Sequence, residues 1–173
     1  MDVTQALKDV KSSSIRGSND LPRKVQKGMD RLYAYQHNDG GWGWWKDDQS
    51  DPFMTAYVVS GLTLAKQNGY APDESRIANG RVKLEQMLDA GTTEAGTQID
   101  LETRAFMVYA LEESGGSQSR HLEKIVNERG NLQPYGRALL ALTLKQRKDD
   151  KRARDIAAEI ERTATADDYS AHW

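Results

Sequence analysis

No cysteine occurs in the 173 residues. That absence excludes a disulfide framework, a thiolate metal site and a cysteine nucleophile together, and leaves the redox compartment open. Histidine is scarce: His37, His121 and His172 lie far apart and none belongs to an H-x-x-x-H spacing, so neither a metal site nor another cofactor site is expected. Charge of one sign is missing too, since 24 Lys and Arg against 26 Asp and Glu leave a net charge of −2. No basic face follows from that balance, and nucleic acid is excluded as an expected partner. There is no run of about 18 apolar residues to span a membrane. The start, M-D-V-T-Q-A-L-K-D-V, has no apolar core of a signal peptide, so none is expected in this chain, although a larger parent protein can still be exported. Strand-like alternation is also lacking throughout, which predicts an all-α fold.

The organising stretch is Gln36–Pro52, Q-H-N-D-G-G-W-G-W-W-K-D-D-Q-S-D-P. It sets Trp42, Trp44 and Trp45 among Gly40, Gly41 and Gly43, between two helical segments. Asp39-Gly40-Gly41 is turn chemistry, because glycine reaches positive φ without steric penalty. Asp51 suits a helix cap and Pro52 the first helical position. One helix is therefore expected to stop near Gln36 and another to begin at Pro52.

Along the chain, residues 1–20 read as the tail of a helix (Val3, Ala6, Leu7, Val10) and a flexible polar connector. From Leu21 onward, helices with one apolar stripe alternate with helices apolar nearly all round. The one-sided kind carries Val25, Met29, Leu32 and Tyr33; then Ile77, Leu84, Met87 and Leu88; then Leu122, Ile125 and Val126; then Ala153, Ile156 and Ile160. The apolar kind resemble one another: A-Y-V-V-S-G-L from Ala56, A-F-M-V-Y-A-L from Ala105 and A-L-L-A-L-T-L from Ala138. Repeated helix hairpins whose members alternate in this way imply two concentric layers, an α/α toroid. The expectation is one domain over residues 1–173, an incomplete ring whose uncovered terminal helices offer a surface for a dimer.

The tryptophan stretch followed by D-P-F-M-T-A-Y-V-V-S-G-L-T-L-A-K-Q-N-G-Y resembles the thioester-containing domain of the alpha-2-macroglobulin and complement family, nearest its bacterial members. L-P-R-K-V-Q-K-G-M-D-R-L-Y, D-L-E-T-R-A-F-M-V-Y-A-L and Y-S-A-H-W extend the match over nearly the whole chain from Leu21. The resemblance implies the toroid, and a non-enzymatic module of an exported, envelope-associated endopeptidase inhibitor that traps proteases. Its implied partners are neighbouring domains of the parent and, through the parent, target proteases. In that family cleavage of a bait region exposes an internal cysteine–glutamine thioester, which acylates the attacker. Here the C-x-E-Q motif is absent, since the chain has no cysteine. Some complement members carry a histidine in the segment matching Gly91–Ile99, which directs the ester to hydroxyl groups. This segment reads G-T-T-E-A-G-T-Q-I, so an upstream thioester would be expected to prefer amines.

Gln36, Asp39, Trp42, Trp44, Trp45 and Asp51 mark a corner that either binds a partner or is structural, with the three indoles expected chiefly to plug the gap between helix ends. Asp47 and Asp48 are expected to be solvated rather than to hold a cation, and His121 and the pair Glu112-Glu113 to lie on the surface. Two rival readings stand beside the inhibitor module. One is an α/α-toroid enzyme of the terpene cyclase or prenyltransferase type, for which no D-x-D-D acid or zinc ligand set is recognisable. The other is an envelope module that binds glycans or another partner through the tryptophan loop.

Overall fold

The computed structural model describes residues 20–116, 119–166 and 171–172. It divides into two compact units, residues 1–34 and 35–173. In the first, α1 (Leu21–Ala34) is the described helix, and it ends two residues before Gln36. Asp20 accepts from the Arg23 guanidinium at 2.6 and 3.0 Å, and Met29 on the apolar stripe is buried. The expected helix tail and connector before Asp20 lie outside the described residues.

The second unit carries six α-helices among its described residues: α2 (Pro52–Gln67), α3 (Glu74–Ala90), α4 (Leu101–Glu113), α5 (Ser119–Asn127), α6 (Pro134–Gln146) and α7 (Asp150–Thr163). Local chemistry sets their starts. Asp51, Asp73, Asp100 and Asp149 each accept a first-turn backbone N–H, while Pro52 and Pro134 need no hydrogen-bond partner there. At the far end of α3, Gly91 takes a left-handed φ of 71° and returns its N–H to Met87.

The alternation in the sequence becomes layering. Helices α2, α4 and α6 pack on one another in order, while α3 rests on α2 and α4, α5 on α4 and α6, and α7 on α6. The leucines that close the three repeats, Leu62, Leu111 and Leu144, are all buried. Outer helices contribute one face each: Ile77, Leu84, Met87 and Leu88; Leu122, Ile125 and Val126; Ala153 and Ile156. This is the two-layered arrangement of an α/α toroid. Thr63 and Thr143 sit inside inner helices because each hydroxyl donates to the carbonyl four residues back, at 2.8 and 2.9 Å.

Two features depart from expectation. The inner helices are not covered all round, for Tyr57 and Leu64 on α2 are 61% and 54% exposed, and Tyr135 and Leu142 on α6 are also exposed. Composition reports that a face can be buried, not that a neighbour covers it. Extended backbone also occurs, as a two-residue antiparallel pair, Thr165–Ala166 with Ala171–His172, and a bridge between Thr92 and Gln98. Neither is long enough to form a layer, and the fold class remains all-α.

Candidate functional site

The corner ahead of α2 is built by a tight turn. Gly40, at φ 90°, donates to the His37 carbonyl at 3.0 Å, and His37 N–H donates to the Gly41 carbonyl at 2.9 Å. A side chain at Gly40 would lie 2.7 Å from the Asn79 carbonyl, so the turn presses directly on α3. Gln36 fastens it there. Its amide donates to the Gly40 and Arg76 carbonyls at 2.8 and 2.9 Å, and its carbonyl accepts from the Arg76 guanidinium at 3.1 Å.

Trp42 is the centre of the joint, with 1% of its surface exposed. Its N–H donates to Thr55 Oγ1 at 3.0 Å, and its carbonyl accepts the Asp51 N–H at 2.8 Å. The indole lies against Gly80 on α3, where an added Cβ would come within 2.8 Å of Cζ3. Asp51 turns the chain into α2 by accepting the Met54 N–H at 2.8 Å.

Below the turn runs a charged network. Asp39 Oδ1 accepts the Gly41 N–H at 3.0 Å and the Ser50 hydroxyl at 2.8 Å, and Oδ2 lies 2.6 Å from Lys83 Nζ. Lys83 is buried on α3 and also meets Glu94 at 2.6 Å. It thereby ties the corner to the closed loop Gly91–Ile99, in which Thr93 and Thr97 pair at 2.8 Å. Burial raises the Asp39 carboxyl, but the hydrogen bonds from Lys83, Gly41 and Ser50 and the Lys83 charge outweigh it and hold the group at about 2. Burial lowers the Lys83 ammonium, and its two carboxylates more than reverse that, so its pKa is raised.

The outer rim of the corner is held differently. Asp48 Oδ2 accepts the backbone N–H of both Trp44 and Trp45, at 2.9 and 3.1 Å. The carboxylate fills the space over Gly43, where a Cβ would fall 1.9 Å from Asp48 Oδ1. His37 closes the ring, with Nδ1 at 3.0 Å from Ser50 Oγ and Nε2 at 3.3 Å from the Trp45 carbonyl and 3.6 Å from Asp48. Trp44 and Trp45 themselves are 63% and 76% exposed.

The structure thus brings Gln36, Asp39, Trp42 and Asp51 together as one fastening and places Trp44 and Trp45 outside it. Plugging the gap falls to Trp42 alone. Asp48 is a loop cap rather than merely a solvated acid, while Asp47 is exposed. Three other expectations change. His121 is half-buried and sits 2.8 Å from Asp89. Glu113 accepts the Ser60 and Tyr109 hydroxyls at 2.6 and 3.1 Å, and Glu112 pairs with Arg147 at 2.6 Å. Burial and the Glu113 charge push the Tyr109 phenol up to about 12. The side chain of His172 lies outside the described residues. Sequence reading missed Ser50, Thr55, Gly80, Lys83 and Glu94. Only Lys83 left a signal: it falls on the inward stripe of α3 beside Gly80, Leu84 and Met87, where a cation requires a partner.

Among the described residues no group of three or more acidic or histidine side chains is placed to hold a metal ion, and no helix is long and apolar enough to cross a membrane. The polar groups of the corner bind one another and the backbone. They hold the start of α2 against α3 within the α/α toroid.

Comparison with known proteins makes that assignment specific. The family model of the A-macroglobulin TED domain matches residues 1–92, and the chain belongs to this family. An alpha-2-macroglobulin of Thermotoga maritima is 48% identical over 60 residues, which are 35% of this chain and 4% of the relative. Native Escherichia coli alpha-2-macroglobulin, from domain MG7 to the C-terminus, superposes with a TM-score of 0.71 at 21% identity, over 87% of this chain and 25% of that one. Salmonella alpha-2-macroglobulin reacted with methylamine gives a TM-score of 0.69 at 21% identity, over 86% of this chain and 10% of that one. The chain therefore spans a small part of each of these relatives, and the two structures agree with it in fold.

Proposed function

We propose that this chain is a non-catalytic module of a bacterial alpha-2-macroglobulin-type protease trap, a helical shell that supports or shields the thioester region of its parent. The observation that carries the reading is the TED-domain match over residues 1–92. The toroid likeness to E. coli and Salmonella alpha-2-macroglobulin agrees with it. The neighbouring domains of the parent are its immediate partners, proteases meet it through the parent, and the parent is exported to the cell envelope.

A shell needs rigidity and dryness more than reactive groups, because an acyl donor survives only where water is excluded until the trigger fires. The corner supplies rigidity: a buried indole, a buried lysine with two carboxylates, and a loop whose amides are held by Asp39 and Asp48. No cysteine is present, so these 173 residues supply no thioester of their own: either it lies elsewhere in the parent or the parent lacks one. Where the parent holds a thioester, amines such as lysine side chains are its expected targets, since residues 91–99 carry no histidine.

The test uses the parent polypeptide. Mixed with trypsin, a trap protects a large protein substrate while leaving a small peptide substrate open to cleavage. Equal cleavage of the large substrate with and without the parent would overturn the reading. Mass spectrometry after methylamine then separates parents with a thioester, which gain the amine stoichiometrically, from those without one.

A further inference from the structure

Trp44 and Trp45 are used by the corner only through their backbones: both N–H groups go to Asp48, and the Trp45 carbonyl faces His37. Neither indole is needed to hold the loop, yet both stand in solvent, 63% and 76% exposed, on a segment fixed from both sides. Large aromatic side chains on a pre-ordered loop are efficient recognition anchors, because little conformational freedom is lost when they are covered. The charge beside them narrows the partner. Lys46-Asp47-Asp48-Gln49-Ser50-Asp51 carries three carboxylates against one ammonium. Asp48 and Asp51 also accept backbone amides, at 2.9 and 2.8 Å.

We propose that Trp44 and Trp45 form a docking point for a protein surface that presents arginine. A guanidinium stacks on an indole face and offers further N–H groups to a carboxylate beside it. A wholly apolar partner would strip water from Asp47 and Asp48 without supplying a counter-charge. A membrane of anionic lipids would be repelled by the same carboxylates. An uncharged glycan could stack on the rings but would leave the acidic rim unanswered.

The site is tested on the full chain by following backbone and indole N–H resonances during titration with an Arg-Gly-Arg peptide. Its Lys-Gly-Lys counterpart, an N-acetylglucosamine oligomer and phosphatidylglycerol vesicles are titrated in parallel. The arginine peptide is expected to shift the indole signals of Trp44 and Trp45 saturably, and to bind more tightly than the lysine peptide. The double variant Trp44→Ala/Trp45→Ala is expected to bind it about tenfold more weakly, followed at the amides of residues 46–48. Asp47→Asn is expected to weaken binding several-fold. An unchanged unfolding midpoint in the double variant keeps loss of binding distinct from loss of fold. The proposal is overturned by equal binding in wild type and double variant, by no shift with the arginine peptide, or by saturable binding of the oligosaccharide or vesicles in its place. None of these results depends on whether the parent traps proteases.

Discussion

Replacing Trp42 by alanine removes the one indole that the corner buries. The side chain is 1% exposed and lies between α2 and α3, against the bare backbone of Gly80. Burying an indole removes about 150–250 Å² from water, which at about 25 cal/mol per Å² corresponds to roughly 4–6 kcal/mol as an upper bound. Aromatic-to-alanine changes in cores cost about 3–5 kcal/mol once the cavity relaxes in part. For a chain of this size, that loss lowers the thermal midpoint by roughly 6–20 °C. Trp44→Ala/Trp45→Ala deletes twice as many aromatic rings, yet the expected change stays within about 0.5 kcal/mol, because these rings are exposed and the loop is held through backbone groups. Thermal and urea unfolding followed by far-ultraviolet circular dichroism compares the two variants directly. Similar destabilisation by both would refute the division between a buried fastener and two outward rings.

Asp39 gives a pH signature. Its folded pKa, about 2, lies below the ordinary carboxylate value of 3.8, so its contribution is present above about pH 4 and is lost as pH falls through about 2. Asp39→Asn is expected to lower stability at neutral pH and to flatten the acid limb between about pH 4 and 2, measured as the difference from wild type in urea midpoints. Gly80→Ala places a Cβ 2.6 Å from Val59 Cγ2 and 2.8 Å from Trp42 Cζ3. It is expected to cost about 1–3 kcal/mol by overpacking, read from the same unfolding curves. Glu102 on α4 accepts the Gln133 N–H at the start of α6, where Gln133 makes no side-chain cap of its own. Glu102→Ala is expected to cost about 1–2 kcal/mol, with earlier amide exchange at the first turn of α6.

The helix start at the corner was legible because it is written in a few adjacent residues. Asp51-Pro52 announces α2, and Asp39-Gly40-Gly41 announces the turn before it. The layering was legible for the same reason, since the three A-x-x-x-x-x-L runs became α2, α4 and α6. Partner choice across the fold was not. Lys83 meets Asp39 and Glu94, Glu113 meets Ser60, and His121 meets Asp89, pairs joined only after helices pack. Polar residues that read locally as solvated therefore proved to be fastenings. The tryptophans failed in the opposite sense. An aromatic side chain announces contact area but not which contact, and Trp42 and Trp44, two residues apart, face opposite fates.

The nesting of three broadly apolar helices inside three one-sided ones is tested most directly by residue-resolved amide hydrogen exchange of the chain in its native state. The buried amides of α2, α4 and α6 are predicted to exchange only through global unfolding, with α3, α5 and α7 opening at lower free energy. Faster exchange in α2, α4 and α6 than in the helices laid over them would contradict the layered arrangement.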